Sequence, residues 1–166
     1  MPSDYLSIYL NDHLAGATAG RNLARRAARH NQASAYGLYL ADLVVDIERD
    51  RAALLELMRR IEVRPNRVKV ATGWLAELVA RGKSNGHVFT FSPLSRVDEL
   101  EGLLVGVRGK LALWAALRTL QETEPRIAPI GVEGLIARAE GQLTRLEDLR
   151  LQAFQGAMLG DAPNRD

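Results

Sequence analysis

The chain has 166 residues, enough for one domain with a substantial core and too few for two of ordinary size. At 47% hydrophobic and 25% charged the composition is that of a globular protein, and with 5% aromatic residues the core must be formed by Leu, Ala and Val. The net charge is +2, with only Lys69, Lys83 and Lys110 as lysines among 22 cations, so the arginine content reads as compositional background rather than as a nucleic-acid footprint. The absence of cysteine excludes disulfides, thiolate zinc sites, iron–sulfur clusters and a thiol nucleophile. The first residues, MPSDYLSIYLNDH, lack a basic start and an unbroken apolar run, and no stretch has the roughly 18 uncharged apolar residues of a membrane span. The expectation is a single cytoplasmic domain, residues 1–166, with no membrane partner and a frayed tail from about residue 160.

Apolar residues recur at steps of three and four, the period of helices packed on helices. The first seam runs Leu6, Leu10, His13, Ala17, Gly20, Ala24, Ala27, with small residues in its second half. Asn31 and Gln32 interrupt it, and Ser34 is a candidate N-cap for a second seam of Tyr36, Leu40, Leu43, Ile47, Asp50, Leu54, Leu57 and Ile61. Pro65 is expected to stop that helix. A shorter helix is predicted from Asn66 to Arg81, followed by an extended connector at His87 to Phe91. Ser92-Pro93 reads as an N-cap with proline at the first helical position, and Ser95 to Asp98 as a second candidate start. The third long helix carries Val97, Leu100, Leu104, Val107, Leu111 and Trp114 and runs to about Gln121. Pro125 and Pro129 mark a loop, and the last helix carries Val132, Ile136, Ala139, Leu143, Leu146, Arg150, Ala153 and Ala157.

Four long helices in two hairpins follow. The span of Glu62 to Ser92 between them can carry the chain back along the bundle, leaving helices two and three parallel. In helix count, helix length and placement of this crossover, the chain resembles the ferritin-like superfamily. It is also similar to a group of uncharacterised bacterial proteins of that fold through YLNDHLAGATAG, SPLSRVDELEGL and GVRGKLALW. The resemblance implies an all-α up-down four-helix bundle whose crossover contains a short fifth helix.

It also implies a place for two iron ions, which di-iron members of the superfamily hold with one Glu on each of helices one and three and an E-x-x-H pair on each of helices two and four. Residues three apart share a helix face, so carboxylate and imidazole reach one metal. No Glu in this chain is followed three residues later by His. The corresponding places read E-x-x-R, at Glu48 with Arg51 and at Glu147 with Arg150, and helix one has no Glu. A guanidinium has no lone pair for a metal. A polar layer across the bundle middle is therefore expected, drawn from His13, Glu48, Asp50, Arg51, Glu101, Glu147 and Arg150, with carboxylate–guanidinium pairs where metal bonds would be. A hairpin turning near residue 32 sets His13 level with Arg51, and one turning at residues 125 to 126 sets Glu101 opposite Arg150. If Arg150 is buried, Glu147→Leu should cost on the order of 3 kcal/mol.

The leading functional expectation is a non-catalytic protein with a degenerate di-iron site and no cofactor, acting as a homodimer or through a protein partner. The alternatives are a divergent metal-dependent oxidase or hydrolase using the mid-bundle carboxylates and His13, and a nucleic-acid-binding module. The last would use Arg21, Arg25, Arg26 and Arg29, which a solvated helix end also explains. Gly102, Gly106 and Gly109 are expected to allow close helix packing. Trp74 and Trp114 are expected to anchor core or interface. His30 and His87 receive no role, and no Ser/His/Asp elbow or P-loop is present.

Overall fold

The computed structural model describes residues 3–66 and 91–160, and every regular element within them is helical. Four long helices, α1 (Asp4–His30), α2 (Gly37–Arg60), α3 (Pro93–Arg118) and α4 (Val132–Leu159), are joined in one place by a 3₁₀ helix, Pro125–Ile130. The short helix expected at 66–81 and the extended segment at 87–91 lie almost wholly outside the described residues, as do Trp74, His87 and the tail beyond 160.

Local chemistry sets the helix ends. Ser3 caps α1 by accepting from the Leu6 N–H at 3.2 Å. Ser34 is not the cap of α2, which begins at Gly37 without a side-chain cap. Instead Ser34 donates to the Asn31 carbonyl, and a Cβ on Gly37 would meet that same carbonyl oxygen at 2.5 Å, so the close approach requires glycine. The second helix stops before Pro65: Glu62 takes φ 61, and the Val63 N–H bonds the Met58 carbonyl while the Glu62 N–H bonds that of Arg59. This is a Schellman end with glutamate at the left-handed position, sealed by Val63 and Met58, both buried in one apolar cluster. Ser92 and Pro93 open α3 as expected, but Ser95 serves as the reciprocal member of the capping box rather than as a second start. The proline-marked loop is the 3₁₀ helix, and Gly131, at φ 68, turns it into α4.

Contacts between helices give their directions. Arg25 pairs with Glu48 and Asn11 with Arg64, so α1 and α2 are antiparallel. Arg26 meets Glu99 and Asn31 meets Arg96, so α1 and α3 are antiparallel as well. Lys110 contacts Gln142 and Arg150 contacts Glu101, setting α3 against α4. Tyr39 and Arg138 link α2 to α4, again in opposite directions. Two helices each antiparallel to a common neighbour run the same way, and so α2 and α3 do.

The core is two apolar clusters stacked along the bundle. One contains Leu23, Leu43, Leu100 and Leu146, and the other Leu10, Leu57, Trp114 and Ile127. Nearly the whole predicted α2 seam is buried, Asp50 included. The α1 seam is buried at Leu10, Ala24 and Ala27, whereas His13, Ala17 and Gly20 between them are only partly covered. That gap locates the site.

Candidate functional site

Between the two apolar clusters, α2, α3 and α4 contribute a charged network. Asp50 is 3% exposed; its Oδ1 accepts from Arg138 Nη1 at 2.8 Å, and its Oδ2 accepts from Lys110 Nζ. The same ammonium donates to Gln142 Oε1, and Gln142 Nε2 donates to Asp46 Oδ2 at 3.2 Å. Tyr39 Oη donates to the Gln142 carbonyl at 3.3 Å, and burial pushes this phenol up to about 12. Burial also lowers the Lys110 ammonium below its ordinary range, against the opposing pull of Asp50. Both Asp50 oxygens are satisfied, which a buried carboxylate requires.

On the α1 side of this network lies a cavity of about 330 Å³, walled by α1 and α3 and floored by α2. Its α3 wall runs from Gly102 to Trp114, twelve residue steps, or about 18 Å at roughly 1.5 Å per step. The small residues produce this space. A Cβ at Gly20, Gly106 or Gly109 would meet nothing within 4 Å, so these glycines hold the helices over an opening rather than letting them close. The expectation of close helix packing is corrected accordingly at Gly106 and Gly109, while Gly102 is buried.

Three side chains along the cavity carry N–H groups with no protein acceptor among the described residues. Arg51 uses only Nε, donating to Thr18 Oγ1 at 3.3 Å. Lys110 uses two of its three protons. Trp114 is 1% exposed and its buried Nε1 is unpaired. The remaining polar lining is Asp50, the Tyr9 phenol and, toward the Trp114 end, Asp12 and His13. His13 packs edge-on against Tyr9 at 4.5 Å between ring centroids, and burial lowers its pKa, favouring neutral imidazole.

Of the seven residues expected in a mid-bundle layer, Asp50 is at its centre, and His13 and Arg51 border the cavity beside it. The other four lie elsewhere. Glu48 is exposed and pairs with Arg25 across the α1–α2 face. Glu147, 46% exposed, binds Arg150 in a two-point contact at 2.6 and 2.9 Å, and Glu101, 52% exposed, joins at 3.5 Å. That trio sits on the α3–α4 surface beside the first apolar cluster. Arg51 lies opposite Thr18 rather than His13: the α1–α2 loop is centred between residues 33 and 34, which moves the register by three residues, and the packed helices are offset by two more. Lys110, Arg138, Gln142 and Asp46 were not anticipated. Gln142 lies three residues from Ala139 and four from Leu146, and Asp46 four from Asp50, on shared helix faces, a spacing that was there to be read.

Among the described residues no group of three or more His, Asp or Glu side chains converges as a metal site would need. No helix among them is long and apolar enough to cross a membrane. The helix-one arginines are partly neutralised: Arg25 pairs with Glu48, and Arg26 with His30 shares the buried carboxylate Glu99. Comparison with family models, with curated proteins and with solved structures yields no match.

Proposed function

We propose that this chain is a non-catalytic binding protein on a ferritin-like bundle, in which the Asp50–Lys110–Arg138 network stands where relatives in the superfamily would hold metal. Its ligand occupies the α1–α3 cavity. The cavity itself carries the reading: about 330 Å³ lies within the roughly 300–1,000 Å³ typical of small-molecule sites, and apolar walls with a few convergent polar groups are their usual composition. The ferritin-like part is supported by the common direction of α2 and α3, which calls for a connection spanning the bundle. That no group of three carboxylates and imidazoles converges among the described residues favours binding over oxidase or hydrolase chemistry.

Titration with the neutral apolar fluorophore N-phenyl-1-naphthylamine tests the cavity. Saturable one-to-one enhancement that disappears in Gly106→Leu is expected, since the leucine side chain enters the open space. Equal enhancement in both proteins would sink the proposal.

Self-association is the second reading, favoured by an apolar stripe on α4. Leu151, Phe154 and Met158 are 45%, 45% and 54% exposed and fall on one face at spacings of three and four. A second copy laid antiparallel on this stripe would cover it. Sedimentation of Phe154→Glu beside the parent chain tests this: a parent dimer reduced to monomer supports it, and a monomeric parent at high micromolar concentration removes it.

A further inference from the structure

Resting on the cavity reading above, we infer that the ligand is a linear amphiphile with an anionic head, a medium-chain carboxylate, its head on Arg51 and Lys110 and its chain toward Gly20 and Gly102. Three observations place it so.

The first is an imbalance of hydrogen-bonding groups. The cavity offers unpaired N–H donors from Arg51 and Lys110, both charged, whereas both Asp50 oxygens are already engaged. Arginine in particular offers a fork that matches a carboxylate, with both Nη atoms free of protein partners among the described residues.

The second is the level of the charges. Thr18 fixes Arg51 along α1, and the pairing of Arg26 with Glu99 brings Lys110 to nearly the same height. The other lining carboxylate, Asp12, lies six residues from Thr18 along α1, about 9 Å, on the side away from Gly20 and Gly102. An anionic head at Arg51 with its chain toward Gly20 therefore has Arg51 and Lys110 beside it and Asp12 beyond them. Asp50 is held by Lys110 and Arg138 together, so the network does not repel an anion as a bare carboxylate would.

The third is the shape and polarity of the half-cavity beyond Lys110. From Lys110 to Gly102 the α3 wall covers eight residue steps, about 12 Å, and the lining there includes Gly20, Ile47, Leu103, Gly106 and Val107, all apolar. An eight-carbon chain extends to a similar length.

Calorimetric titration of the full chain with octanoate, octan-1-ol and octylammonium at neutral pH decides it. Octanoate is expected to bind one-to-one and at least tenfold more tightly than either of the others. Arg51→Met should remove that tenfold advantage while leaving octanol binding unchanged, and Gly106→Leu should abolish binding of all three. Should Gly106→Leu lower the melting temperature, Gly20→Leu fills the same space from α1. Octanol binding as tightly as octanoate, with no effect of Arg51→Met, would overturn the anionic head while the cavity reading stands. A preference for octylammonium would overturn it in the opposite sense, assigning the head to Asp12 and Asp50. No binding of any of the three, with N-phenyl-1-naphthylamine still bound, would refute the linear amphiphile alone; loss of the fluorophore as well would refute both proposals.

Discussion

Two E-x-x-R pairs look alike in the sequence, yet the regions around them have opposite character. Around Asp50, beside Glu48-x-x-Arg51, a carboxylate at 3% exposure is gripped by two cations drawn from two other helices. Around Glu147 and Arg150, a stronger-looking two-point pair lies within one helix turn at the surface, with both carboxylates about half exposed. The lesson is that residue spacing along one helix finds the pair, whereas burial decides whether the pair matters. Water does for Glu147 what Lys110 and Arg138 must do for Asp50.

The largest test of this contrast is Asp50→Leu. Removing the carboxylate leaves Lys110 and Arg138 without their shared partner and only the more distant Asp46 as counter-charge, and breaking a buried pair of this kind costs about 3–5 kcal/mol. Urea unfolding should show the loss as a lower midpoint at unchanged slope. A loss under 1 kcal/mol would place Asp50 with the surface pairs and erase the distinction.

Next in size is the space beside the central network. Gly106→Ala adds a methyl group that meets nothing and removes a glycine from a helix interior, so it should stabilise by about 0.5–1 kcal/mol. Thermal melts would register a rise of several degrees. A destabilised variant would mean that α1 and α3 close over the cavity in solution, and the open region would then resemble the packed halves on either side.

Glu147→Leu should move stability by less, about 0.2–1 kcal/mol, because Arg150 remains solvated and keeps Glu101. The sequence alone led to an expected cost near 3 kcal/mol, on the premise that Arg150 is buried. A measured cost near that figure would restore the premise and make the two regions equivalent.

That premise shows where sequence reading reached its limit. Helix periodicity located the α2 seam residue by residue, and the capping chemistry of Ser92 and Pro93 gave the start of α3, because both are local. The register between helices is not local. It depends on where the α1–α2 loop is centred and on the offset between the packed helices, neither of which periodicity reports. The seam reading places Arg150 between Leu146 and Ala153, but Leu149 is the buried residue there, and Arg150 turns toward the α3 edge. Lys110 went unremarked because a lone lysine in an apolar helix reads as solvated. Its partner, Asp50, had already been identified as an acid inside an apolar seam. A buried acid requires a cation, and the one lysine in the long helices was the natural candidate.

The smallest effect separates the two regions by pH. At the surface, Arg150 holds the Glu147 carboxylate below its ordinary range through hydrogen bonding, so whatever stability that pair contributes is present above about pH 4.5 and lost as the pH falls. At the centre the sign reverses. Burial lowers Lys110 more than Asp50 and Asp46 raise it, with Arg138 adding to the lowering. Between that lowered value and the ordinary 10.5, the unfolded chain carries a proton that the folded chain has released. Stability must therefore rise with pH across this interval, until Tyr39, held neutral to about 12, reverses the trend above pH 10 as the unfolded phenol ionises. Lys110→Met removes the rising limb alone, since Asp50 keeps Arg138. Urea midpoints of the parent and of Lys110→Met, measured from pH 8 to 10, should diverge with the parent gaining. Parallel curves would mean that Asp50 offsets the desolvation of Lys110 in full, and the central network would then differ from the surface pair in burial but not in proton linkage.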